Sequence, residues 1–304
     1  MSHLHVTLID VGWGDSILLE ASQAGSPRPR FALIDSNDNA DRDYWPAHNF
    51  LRKHLGMRED EFTVEKPFFD FVMLTHDHSD HGSGLKRIMK DYGTQNFWYP
   101  RILVEESVVV AHLQSYVNHP KVNIRHQAVD SNTELGNFGD AVMDVLWPTP
   151  NTIDANANNN SIVLSLTLNG MSILLTGDAE GKVWQQIVAQ IPQNTVAFKV
   201  PHHGSKNGTI HNNTFPWVEK LDTLPVKPHL GISCHPNFPN RFNFPDPAIL
   251  ARFEQSHLNY CRTDLHYHIT YMLGANGLQV KYSHWCREQL NRLKRNHRYP
   301  TGTM

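Results

Sequence analysis

Three histidines and two aspartates crowd into His76-Asp77-His78-Ser79-Asp80-His81, directly after the largely apolar run Phe68–Leu74. Imidazole nitrogen and carboxylate oxygen are suitable donors to Zn²⁺ or Mn²⁺. His76 and His78 are two residues apart, so in an extended or tightly turning segment they can point the same way. Asp80 and His81 then turn towards a neighbouring point, and the pattern predicts two cations side by side. Two later strand ends carry the same chemistry. "LLTGD" leaves Asp178 at a sheet rim, where its carboxylate can bridge two cations, and "KVPHHGS" ends a strand on His202 and His203. Each has a plainer reading alone: Asp178 as a helix N-cap, the histidine pair as a turn. Together with the first cluster they predict one metal centre.

The elements that must hold these residues are legible as strands ending at the candidates. "LHVTLIDVG", "GDSILLE" and "FALID" read as strands, the last ending on Asp35. "FFDFVML" is a buried strand that runs into the first cluster. "SIVLSLTLNGMSILLTGD" is a hairpin: Ile162, Leu164, Leu166 and Leu168 share one face, and Asn169-Gly170 supplies the turn. "VAFKV" precedes the His202–His203 pair, and "HYHITYMLGANGLQVKY" reads as a closing hairpin. Helices are predicted around "HNFLRKHLG", "GLKRIMKDYG", "EESVVVAHLQSYVNH", "AEGKVWQQIVAQI" and "PDPAILARFEQSH". In the last, Asp246 caps and Pro247 takes the first helical position. Runs of strands with interspersed helices suggest two packed sheets with helices outside them.

Composition narrows the class. A chain of 304 residues with 40% hydrophobic and 19% charged content is expected to be soluble and globular. The net charge of −3 gives no global basic field to advertise nucleic acid. A basic stretch closes the chain between Arg287 and Arg298; it reads first as a solvated terminal helix and second as a phosphate-binding tail. Cys234, Cys261 and Cys286 are odd in number and lack CxxC spacing, which points to a reducing compartment. With no apolar run of membrane-spanning length, the expectation is a cytoplasmic enzyme that meets no membrane.

The ordered set "IDVGWGDSILLE", "LID", "LTHDHSDHGSG", "DVLWP", "NNNSIVLSL", "LLTGD", "KVPHHGS", "GISC…NRFNFPDPAIL" and "CRTDLHYHI" resembles the metallo-β-lactamase superfamily. Within it, the hydrolase domain of ComEC-type competence proteins is the nearest likeness, here expected as a free-standing soluble version. The resemblance spans about residues 5–282 and implies an α/β fold, a four-layer αββα sandwich with a dinuclear centre at one edge. The domain is then residues 1–282, with a basic tail over 283–304. Carried over by position, the ligands are His76, His78, Asp80, His81, Asp178 and one of His202 and His203. Asp80, Asp178 and His203 are the candidate catalytic residues. Where the superfamily has a third ligand histidine this chain reads "NANNNS"; ComEC-type members also tend to carry Asn there, which places Asn158 or Asn159 towards the site. Fewer imidazoles make one position weaker and harder, admitting Mn²⁺ beside Zn²⁺. Asp10, Asp15 and Asp35 match the family's N-terminal acidic positions and are expected to support the ligands. The run Asn243-Phe244-Pro245-Asp246 departs from the family's Gly-His-Pro-His-like pattern.

Such a centre implies hydrolysis by metal-activated water, with no serine or cysteine nucleophile. The resemblance points to a phosphodiesterase or nuclease acting on DNA, with Ser205 and Lys206 as phosphate contacts and a protein partner or the basic tail helping to supply the nucleic acid. Two alternatives stand beside it: a hydrolase of small phosphodiesters or carboxylic esters, and a catalytically silent subunit of a larger complex.

Overall fold

The computed structural model describes residues 2–38, 43–55, 66–101, 108–151, 153–235, 243–283 and 301–303. The chain starts with two antiparallel strands, β1 (Leu4–Leu8) and β2 (Ile17–Ala21), followed by β3 (Arg30–Ile34). Alternation decides their faces: Leu4, Val6, Leu8, Ile17, Leu19, Ala21, Ala32 and Ile34 all enter one core. Next come α1 (Pro46–His54), β4 (Phe69–Met73), the single turn α2 (Ser79–Gly82), α3 (Leu85–Tyr92) and β5 (Thr94–Pro100). Helix α3 buries Leu85, Ile88, Met89 and Tyr92, one stripe at helical spacing, and Gly93 ends it. Then follow α4 (Val109–Val117), β6 (Arg125–Val129), β7 (Asn137–Phe138) and β8 (Ala141–Trp147).

The predicted hairpin is β9 (Val163–Leu168) and β10 (Met171–Leu175), with Asn169 and Gly170 at positive φ in the turn. The second half continues through α5 (Gly181–Ile187), β11 (Thr195–Lys199), α6 (Lys206–Thr209), α7 (Pro216–Asp222), β12 (His229–Ile232) and α8 (Pro247–Gln255). It closes with β13 (Tyr260–Arg262), α9 (Thr263–His266), and the hairpin β14 (Ile269–Gly274) with β15 (Gly277–Ser283). Thr301–Thr303 adds an edge strand, β16, to β15; residues 284–300, which hold the predicted basic helix, lie outside the described residues.

Two sheets result, ordered β16-β15-β14-β1-β2-β3-β4-β5-β6 and β13-β12-β11-β10-β9-β8-β7. In each, a run of parallel strands (β3 to β6, and β10 to β13) adjoins antiparallel ones. Side chains of both sheets, including the predicted face Ile162, Leu164, Leu166 and Leu168, interleave as the central core. α1, α3 and α4 cover the outer face of the first sheet, and α5, α7 and α8 that of the second. The layers are therefore helix, sheet, sheet, helix, as the resemblance implies. Among the described residues, no helix is long and apolar enough to cross a membrane.

Candidate metal centre

Strands running parallel deliver their C-terminal ends to one edge, where open sheets collect ligands. Asp35 follows β3, His76 follows β4, Asp178 follows β10, His203 follows β11, and Ser233 follows β12. After β4 the chain turns through α2, which brings His81 back over the strand end. Asp77 points away and accepts the Val109 and Val110 amides at 3.0 and 2.9 Å, so the start of α4 pins this loop. The loop between β1 and β2 closes from the other side. Gly14 has φ +89°, and a Cβ there would fall 2.0 Å from the Asp80 carbonyl oxygen. That contact leaves room for hydrogen only, and the Asp15 amide donates to the same oxygen at 3.3 Å.

At the centre lies one carboxylate oxygen. Asp178 Oδ2 is 3.2 Å from His203 Nε2, 3.4 Å from His81 Nε2 and 4.0 Å from His76 Nε2. Asp80 Oδ2 approaches His203 Nε2 at 3.9 Å and His81 Nε2 at 4.0 Å. His78 Nδ1 is 3.0 Å from His76 Nε2. The donors fall into three overlapping groups that share His81: His76, His81 and Asp178; Asp80, His81 and His203; and Asp15, Asp35 and His81.

An outer ring of hydrogen bonds orients His81, His203 and Asp178. His81 Nδ1–H donates to Asp35 Oδ2 at 2.7 Å, turning Nε2 inwards, and Asp35 also takes the Thr75 amide and hydroxyl, each at 2.7 Å. His203 Nδ1–H donates to the Ser233 carbonyl at 2.9 Å. Ser161 Oγ takes the Asp178 amide at 3.0 Å. Lys199, fully buried, sets its ammonium 2.6 Å from Asp15 Oδ2 and donates to the Gly177 carbonyl at 3.0 Å. Asp35, His202 and His203 hold φ of 57°, 48° and 55°. Left-handed backbone at non-glycine residues costs on the order of 1–3 kcal/mol each and clusters at functional sites.

These residues fit divalent cations. His81 Nε2, His203 Nε2 and Asp178 Oδ1 are buried, and none makes a hydrogen bond. Orphaned donors and acceptors of that kind need a partner. The electrostatics agree. Burial pushes His76 well below the usual imidazole range, keeping it neutral. Burial opposes charge on His81 and His203, but Asp178 with Asp35 raises His81, and Asp178 with Asp15 raises His203. Against its own burial, Asp178 is held well below the usual carboxylate range by His203 and His81. The centre thus demands positive charge beside Asp178, and protons or divalent cations on the same nitrogens are alternative ways to supply it.

Of the sequence-predicted residues, His76, His78, Asp80, His81, Asp178 and His203 come together. His202 does not: its ring turns to Glu180, with Nδ1 3.4 Å from Oε1, and packs edge-on against Phe244. Asn158 Nδ2 donates to the same Glu180 oxygen at 3.0 Å, and the Oδ1 atoms of Asn158 and Asn159 are buried without a hydrogen bond. Ser205 Oγ caps α6 by taking the Gly208 amide, and Lys206 extends to Asp246, 3.5 Å away. Asp10 takes the Gly12 amide in a tight turn, while Asp15 and Asp35 lie against His81 and Lys199. Sequence reasoning passed over Lys199, Glu180 and Trp13, whose ring sits 4.8 Å from that of His203. The signal for Lys199 was a lone cation inside the apolar strand "VAFKV"; for Glu180, a second acid two residues after Asp178.

No protein-family model matches the chain. It is 26% identical over 269 residues to ComE operon protein 3 of Bacillus subtilis, covering 85% of this chain and 32% of that protein. It is also 26% identical over 153 residues to the uncharacterized protein YcaI of Escherichia coli, covering 50% of this chain and 17% of that one. The chain therefore spans a third or less of the length of these curated relatives. Among solved structures, unliganded yeast PDE1 superposes with a TM-score of 0.50 at 11% identity, over 86% of this chain and 98% of that one. With two packed sheets, helices outside both and the histidine–aspartate cluster at their shared edge, the chain has the metallo-β-lactamase fold.

Proposed function

We propose that this chain is a dinuclear metal-dependent hydrolase that cleaves phosphodiesters, with DNA as its substrate. The observation that carries the reading is the convergence of His76, His81 and His203 on one oxygen of buried Asp178. His76, His78 and Asp178 would hold one cation, and Asp80, His81, His203 and Asp178 the other, Zn²⁺ or Mn²⁺. Bound there, the pair supplies Lewis-acid activation of water and positive charge for the phosphoryl oxygens. The protein's own part is to aim and insulate. Asp35 and the Ser233 carbonyl hold the protons on the outward nitrogens of His81 and His203, so both Nε2 lone pairs face inwards. Lys199 offsets the charge of Asp15 and ties down the Gly177 carbonyl that precedes Asp178. DNA as substrate rests on the resemblance to the ComEC-type hydrolase domain and on the similarity to ComE operon protein 3. A protein partner that delivers the nucleic acid would suit the chain's weak overall charge.

The test is incubation of the purified chain with plasmid DNA, RNA and a chromogenic phosphodiester, each with Mn²⁺ or Zn²⁺, beside Asp178→Ala. We expect metal-dependent DNA cleavage that Asp178→Ala abolishes while the fold is retained. Turnover of the small phosphodiester alone would move the substrate away from nucleic acid. Near wild-type activity in Asp178→Ala would remove the bridging role.

A further inference from the structure

The chain has twenty histidines, more than the centre uses. His3 and His5 lie at the start of β1, the end away from the loop that carries Asp15. Leu4, Val6 and Leu8 face the inner core, so the alternate positions His3 and His5 share the outer face. Their ring centroids are 4.8 Å apart. Glu20 of β2 stands directly across the antiparallel ladder from His5, on that same face. Its Oε1 is 3.4 Å from His3 Nε2 and 3.7 Å from His5 Nδ1. All three donor atoms fall within 4.8 Å of one another. His3 Nε2 is buried and makes no hydrogen bond, although the residue as a whole is half-buried.

We propose that His3, His5 and Glu20 form a second, separate binding site for a borderline divalent transition-metal cation, Zn²⁺ being the natural occupant. Tetrahedral zinc with ligand bonds of about 2.0–2.2 Å sets neighbouring donors roughly 3.3 Å apart. The 3.4 Å separation meets that demand, and the 3.7 Å one needs only a small inward shift of the His5 ring. Two imidazoles with one carboxylate select Zn²⁺, Ni²⁺ or Cu²⁺ over Mg²⁺ and Ca²⁺, which prefer oxygen donors. Burial keeps the His5 ring below the usual imidazole range and so in its neutral, ligating form, Glu20 acting against it and His3 and Lys281 with it. Lys281 also repels a cation, which limits the affinity; His54, at the end of α1, faces Glu20 as well. Bound here, the ion ties β1 to β2 at the end remote from the loop that carries Asp15.

The experiment is equilibrium dialysis of the full chain against buffered free Zn²⁺, with bound metal counted per chain. Wild type should retain one equivalent more than His5→Asn and one more than Glu20→Gln, and both variants should keep wild-type hydrolytic activity. Circular dichroism checks folding, and if one variant misfolds the other decides. Equal zinc uptake by wild type and a folded variant overturns the proposal.

Discussion

Lys199 carries a full positive charge in a place closed to water, 2.6 Å from Asp15 and 3.9 Å from Asp178 Oδ1. Burial lowers its pKa, but Asp15 and then Asp178 raise it above the ordinary lysine value. Breaking a buried pair leaves an uncompensated charge, which costs about 3–5 kcal/mol. Lys199→Met should therefore lower the unfolding free energy of the metal-loaded chain, read from urea titration, by an amount of that order. The double variant Lys199→Met/Asp15→Asn should recover most of it, since both charges are then gone. A single variant as stable as wild type would mean that the Lys199–Asp15 pair does not hold the fold together. This pair was hidden in the sequence because "VAFKV" reads as an ordinary strand and its partner sits near the other end of the chain. Which of His202 and His203 turns towards Asp178 was equally hidden. It depends on two consecutive left-handed residues, which no residue type announces.

Just before β14, the His268 ring reaches the loop after β1: the Asp10 amide donates to His268 Nδ1 at 3.1 Å. That nitrogen can accept only when the ring lacks a proton there. Burial, with His54 nearby, pulls His268 down to about 3. The unfolded ring titrates near its ordinary value of 6.5, so between pH 6.5 and 3 the unfolded chain binds a proton that the folded chain refuses. Stability from this group is whole above pH 6.5 and drains away as pH falls towards 3. In denaturant titrations over that window, His268→Gln, which keeps an acceptor, should show a shallower acid loss than wild type. Identical slopes would refute it. The strands around this bond were legible from β-branched runs, and the β9–β10 hairpin from Asn169-Gly170. What was not legible is that β14 returns to pair with β1, register Leu8↔Ile269, because pairing between distant strands leaves no local mark. The helix at Pro216–Asp222 also went unread: its buried stripe, Trp217, Val218 and Leu221, is too short to stand out from the surrounding polar residues.

Taken whole, the molecule puts its densest buried charge on the seam between the two sheets. The first sheet sends Asp35, His76 and His81 to it, with Asp15 from the loop between β1 and β2; the second sends Asp178, Lys199 and His203. The apolar core behind the seam packs the two sheets against each other. Cations at the seam would bind only when the sheets are docked, and binding to the folded state alone stabilises it. At a free concentration of one hundred times Kd that linkage is worth about 2.7 kcal/mol. For a chain of this size it shifts the melting midpoint by roughly 5 °C. Scanning calorimetry with excess Mn²⁺ and then with chelator should show a drop of that order on metal removal in the wild type. The drop should be absent in Asp178→Ala, which lacks the carboxylate shared across the seam. His5→Asn serves as the control, because its site lies within one sheet and leaves the seam intact. A midpoint indifferent to chelator in the wild type would show that the two sheets do not share a metal.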